Sequence, residues 1–119
     1  MDPDSKAKRL RIYISSTDKF EHSPLYEVLV YAAKRNGISG VSVIKGIMGY
    51  GASSEIYSTK LWELTEKVPL IVEIIDESPK IDVFIDSLRP YFEKSGKGHL
   101  ITIEETTILL HTPGIKKHD

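Results

Sequence analysis

Apolar and polar residues alternate in LRIYIS, residues 10–15. Leu10, Ile12 and Ile14 fall on one side, and Arg11, Tyr13 and Ser15 on the other. A period of two predicts a strand with one apolar face. Over residues 23–37 the period becomes helical. Leu25, Val28, Leu29, Ala32 and Ala33 form one stripe. Ser23 is expected to cap the free amides, and Pro24 to occupy the first turn, where no N–H is needed. Lys34 and Arg35 suit the negative end of the helix dipole, and Asn36-Gly37 supplies a left-handed stop. VSVIKGIM (41–48) predicts a second strand. VPLIVEIID (68–76) is the most continuous β-branched run and predicts a strand in the sheet interior. Residues 78–96 predict a second helix. Ser78 and Pro79 open it as Ser23 and Pro24 open the first, and its stripe is Ile81, Ile85, Leu88 and Phe92. A kink or early end is expected at Pro90. HLITIEE (99–105) and TTILLH (106–111) predict a last strand, continuous or bent.

The order β-α-β-β-α-β reads as two halves of a split βαβ pair. Right-handed crossovers put both helices on one face of a four-stranded antiparallel sheet. The expected fold class is α/β (α+β), a ferredoxin-like sandwich with an extended loop between strands 2 and 3. One domain is expected over residues 10–112, with tails at 1–9 and 113–119. Such a fold leaves one sheet face without helices. Tyr13, Ile71 and Ile75 would make it an apolar patch, and patches of that kind mark interfaces. A closed ring of subunits is the economical solution. Glu73 sits inside the most apolar strand. A buried, unpaired carboxylate costs several kcal/mol, so a partner is required. That partner is expected on a neighbouring subunit or in a water-filled central channel.

Composition changes this picture little. The chain has 119 residues, a net charge of −1 and no cysteine. Disulfides and thiolate chemistry are excluded. No apolar run is long enough to span a membrane, and the charged start lacks the apolar segment of a signal peptide; the cytoplasm is expected. The basic clusters KAKRLR (6–11) and KKH (116–118) read as solvated termini, and no nucleic-acid partner is expected.

The segment KGIMGYGASSEIYSTKLWE (45–63) is long for a connection between neighbouring strands. Gly49, Tyr50 and Gly51 would let backbone amides approach a ligand, with Tyr50 stacking on a base. The competing reading is a bulged strand end with a packed tyrosine. Gly96, Lys97, Gly98 and His99 form a second glycine-rich turn. Successive amides in such a turn can hold an anion, and Lys97 adds charge; a plain surface turn is the alternative. Trp62 reads as a packing anchor. His22, His99, His111 and His118 lack metal-ligand spacing. Ser53, Ser54, Ser58 and Thr59 lack an activating context. No catalytic residue and no metal are expected, and the reading is a non-enzyme.

PLYEVLVYAAKRNGISGVSVIKGIMGYG followed by VPLIVEIID resembles the PII-like family catalogued as domain of unknown function 190. The resemblance covers about residues 10 to 110. It implies ferredoxin-like subunits assembled as a homo-trimer, with an adenine nucleotide as effector in each inter-subunit cleft. It also implies a mobile T-loop, here about 49–67, that acts on a partner such as a membrane transporter or channel. Gly49, Tyr50, Gly51, Gly96, Lys97, Gly98 and His99 would bind the nucleotide. Ser53, Ser54, Glu55 and Tyr57 would lie in the partner loop, and Tyr13, Ile71, Glu73 and Ile75 at the interface. The chain departs from PII at His111, where PII has an arginine that neutralises phosphate charge. The alternative is a structural or metal-tolerance trimer similar to CutA, with no nucleotide-dependent role.

Overall fold

The computed structural model describes residues 4–51, 57–58, 67–93 and 98–114. Four long elements form one antiparallel sheet: β1 (Ser5–Ser15), β2 (Ser42–Lys45), β3 (Pro69–Glu77) and β4 (Leu100–Ile108). Their spatial order is β2-β3-β1-β4, and β3 is interior, as its composition predicts. Helices α1 (Leu25–Arg35) and α2 (Ser78–Phe92) cover one face. The architecture is the ferredoxin-like sandwich expected from the element order.

Register decides which side chains meet. Leu10 lies between Ile74 and Ile103, and Ile12 between Val72 and Ile101. Under the helices, Leu10, Ile12, Val72 and Ile74 are buried against Leu25, Leu29, Ala32 and Ala33 of α1 and Ile81, Phe84 and Leu88 of α2. Val28, Ile85 and Phe92, assigned to the apolar stripes, are only partly buried. Phe84, which the stripe omitted, is fully buried.

The helix starts differ from expectation. Ser23 makes no capping bond. Ser23–Pro24 instead pairs with Lys19–Phe20 in a short ribbon, and Pro24 is itself the cap residue of α1. The Leu25 N–H then donates to the Asp18 carbonyl at 2.8 Å. In α2 the same dipeptide lies two positions further in: Glu77 is the cap, and Ser78 and Pro79 are the first helical residues. α1 stops at Asn36, whose side-chain amide donates to the Ala32 carbonyl at 2.7 Å, and Gly37 has φ of 74°. That left-handed turn is the stop glycine permits. α2 runs two residues past Pro90 and ends at Phe92.

β1 begins at Ser5, not Leu10, so half of the expected tail lies in the sheet. Its basic cluster is therefore not a frayed terminus. Lys8 pairs with Asp82 at 2.6 Å, Arg9 with Glu104 at 2.7 Å and Arg11 with Glu73 at 2.7 Å. β2 is shorter than expected, four residues against nine in β3. Beyond it, Met48–Gly49 pairs with Tyr57–Ser58 as a separate ribbon. β4 is one strand that stops at Ile108.

Candidate functional site

The candidate residues collect at one end of the sheet, where β2 and β1 finish and β3 and β4 begin. Gly46 continues the β2–β3 pairing by donating its N–H to the Pro69 carbonyl at 2.7 Å. A Cβ on Gly46 would lie 2.6 Å from Cγ of Pro69, so only glycine allows this approach. Gly49 is looser, with 3.4 Å to the same atom. The segment thus leaves the sheet across the Pro69 ring and pairs Gly49 with Tyr57 in the ribbon. Tyr50 is 70% exposed, so it is not packed into the domain. A Cβ on Gly51 would meet open space. Ile47 is also exposed, at 78%, and Met48 beside it. Sequence reasoning passed over both as strand residues. The signal was two adjacent large apolar residues that break the alternation.

The second group lies on the opposite edge. Gly98 is exposed, and the half-buried His99 ring stands edge-on to Phe92, with centroids 4.8 Å apart. Gly96 and Lys97 lie outside the described residues, as do Ser53, Ser54, Glu55, Trp62 and His118. Of Tyr57 only the backbone is described. β2 and β4 are the two edge strands, with β3 and β1 between them. Three inter-strand spacings, roughly 14 Å, separate β2 from β4, so residues 49–51, which come after β2, and residues 98–99, which come before β4, adjoin opposite edges at the same end of the sheet.

The helix-free face is divided into rungs across the strands. Ile44, Ile71, Tyr13 and Leu100 form an apolar rung next to this end. Ser42, Glu73, Arg11 and Thr102 form the next, and Ile75, Arg9 and Glu104 the third. Tyr13, Ile71, Glu73 and Ile75 therefore share this face, as expected. Glu73 has a partner within its own chain: Arg11, directly opposite in register, donates to its carboxylate at 2.7 Å. The Glu73 hydrogen bond outweighs desolvation and raises the Arg11 pKa.

Asp76, the last residue of the VPLIVEIID run, is fully buried on the helix side. It accepts the backbone N–H groups of Ser39 at 2.9 Å and Glu77 at 2.7 Å, and Lys80 stands 3.4 Å away. Burial pushes its carboxyl up, but those two N–H groups and the Lys80 charge together hold it below the ordinary value. Asp76 thereby pins the connection between α1 and β2. Among the described residues no group of three or more histidines and carboxylates could hold a metal ion, and no helix is long and apolar enough to cross a membrane.

Known proteins resemble this chain, some in sequence and others in fold alone. A "UPF0166 protein" from Aquifex aeolicus is 38% identical over 104 residues, covering 87% of this chain and 94% of that protein. A UPF0166 protein from Methanocaldococcus jannaschii is 35% identical over 91 residues, 76% of this chain and 83% of its own. Among solved structures, CPII, a nitrogen regulatory PII-like protein from Thiomonas intermedia K12 bound to ADP, AMP and bicarbonate, superposes with a TM-score of 0.66. It is 15% identical, with 88% of this chain and 90% of CPII covered. That likeness is one of fold. The profile of DUF190, described as "Uncharacterized ACR", matches residues 7–108, and the chain belongs to that family.

Proposed function

We propose that this protein is a PII-like regulatory binding protein and not an enzyme. It acts as a homo-trimer that holds a small anionic effector, an adenine nucleotide, in the clefts between subunits. Gly49, Tyr50 and Gly51 of one subunit and the 96–99 turn of the next line each cleft. The observation that supports this reading is that Gly49–Gly51 come after edge strand β2 and Gly98–His99 come just before the other edge strand, β4, at the same end of the sheet. A site between copies joins them; a site within one chain does not. CPII, which shares the fold, binds ADP and AMP.

The segment from 49 to 67 is the responsive element. A micromolar ligand supplies about 8 kcal/mol. Ordering a loop of this length at about 1–2 kcal/mol per residue exceeds that. Ligand and partner therefore share the ordering, the partner being a protein such as a membrane transporter or channel. Equilibrium dialysis against ATP, ADP, AMP and cyclic nucleotides, with and without divalent metal, tests the site. Micromolar binding that is lost in Lys97→Ala is the expected result. No binding below millimolar overturns it and leaves a structural trimer.

A further inference from the structure

Pro69 opens β3, and the pairing of β2 with β3 ends beside it. The register runs from Ser42 opposite Glu73 to Lys45 opposite Leu70, so Gly46 faces Pro69 next. The Gly46 N–H donates to the Pro69 carbonyl at 2.7 Å. In an antiparallel ladder a pair joined in this way exchanges a second bond in return. Proline has no N–H to give it. The ladder therefore stops at residue 69 for a chemical reason, and the chain leaves the sheet there.

Pro69 itself is held in place. It belongs to the β1 ladder, opposite Ser15. Its neighbour Val68 is buried and joined twice to Ser16. The Ser16 N–H donates to the Val68 carbonyl at 2.9 Å, and the Val68 N–H donates to Ser16 Oγ at 3.0 Å. The pyrrolidine ring is thus a fixed wedge where the segment begins. Two glycines three positions apart face it. A Cβ on Gly46 would stand 2.6 Å from Cγ of Pro69, and one on Gly49 3.4 Å from the same atom. Between them Ile47 and Met48 are exposed. Bare backbone approaches the ring at 46 and again at 49, and Tyr50 and Gly51 come directly after.

We infer that Pro69 is a positioning residue for the effector cleft: its ring, through Gly46 and Gly49, sets where Gly49, Tyr50 and Gly51 stand. This role rests on the cleft proposed above and belongs to a residue outside the cleft lining. A methyl at 46 meets an anchored ring, so the segment yields instead. Pro69→Ala acts in the other direction. It removes Cγ and restores an N–H that can donate to the Gly46 carbonyl, drawing the segment one residue further into the ladder.

Equilibrium dialysis of the full chain against ADP is the first measurement, with circular dichroism confirming that each variant is folded. The Kd is expected to rise about tenfold in Gly46→Ala and in Pro69→Ala. In the double variant the methyl at 46 has no ring to meet, so Gly46→Ala should add less than about twofold to Pro69→Ala. Contacts that served stability alone would change unfolding and leave the Kd of the folded protein where it was. Unchanged Kd in both single variants, or fully additive effects in the double variant, overturns the inference and leaves the nucleotide site standing. Amide resonances of the ligand-free protein are the second measurement. Pro69→Ala should shift the amides of residues 47–51 and give a new amide at position 69 that is protected from hydrogen exchange. Amides at 47–51 that keep their positions overturn the inference. If the unsubstituted chain binds no ADP, the nucleotide reading fails, and these resonances alone decide whether Pro69 positions the segment.

Discussion

On the helix side of the sheet, Leu10, Ile12, Val72 and Ile74 are sealed beneath two helices. Across the same strands, Ile75 is 41% and Leu100 56% exposed, among Arg9, Arg11, Glu73 and Glu104. The chain completes one face by itself and leaves the other half-finished. The difference teaches where stability and function reside. The helix side holds the apolar burial that drives folding. The helix-free side holds paired charges and half-buried apolar residues that neither helix covers.

Substitutions on the two faces sharpen or break that contrast. Phe84→Ala has the largest expected effect, a loss of about 3–5 kcal/mol in denaturant unfolding, because it opens a cavity under the helices. A loss under 1 kcal/mol would mean that the core is not where the structure puts it. Asp76→Ala is next, at about 1–3 kcal/mol, because it strips buried N–H groups of their acceptor. The pH dependence has a definite sign. The folded pKa of Asp76 is below its ordinary 3.8. Its contribution is therefore full above about pH 4 and is lost as pH falls through the lower folded value. Unfolding curves of the protein and of Asp76→Asn should converge as the medium is acidified below that point. Curves that stay parallel would refute the linkage.

Gly46→Ala is expected to cost about 1–3 kcal/mol, the range for forced overpacking, because the new methyl meets the Pro69 ring. The matched control, Gly51→Ala, has open space and should be near neutral in the same titration. On the helix-free face the effects shrink. A double-mutant cycle on Arg9 and Glu104 should give a coupling of about 0.2–1 kcal/mol, as expected for a half-exposed pair. Ile75→Ser should change unfolding of the isolated subunit least of all, yet weaken self-association in sedimentation. The reverse pattern would place the folding core on the wrong side of the sheet.

Much of this was legible in the chain because it is local. Alternation at residues 10–15 and the stripe from Leu25 to Ala33 report which side of a strand or helix is buried, and they do so without knowledge of the neighbour. Asn36-Gly37 likewise specifies its own left-handed turn. The same Ser-Pro dipeptide, by contrast, sits before one helix and inside the other. A cap depends on where the preceding strand delivers the chain. Tyr50 was legible as an unusual aromatic between glycines, whereas Ile47 and Met48 were hidden by their resemblance to strand residues.

By itself, then, the sequence determined the order of elements, the buried side of each and the single sheet with two helices, since hydrophobic periods are set by neighbours a few residues apart. Only tertiary structure decided that Arg11 answers Glu73, that Asp76 holds Ser39, that Pro69 demands glycine at 46, and that the strands before Gly49 and after Gly98 are the two edges of the sheet. Those contacts join residues dozens of positions apart. They depend on strand register and spatial order, which no local pattern encodes.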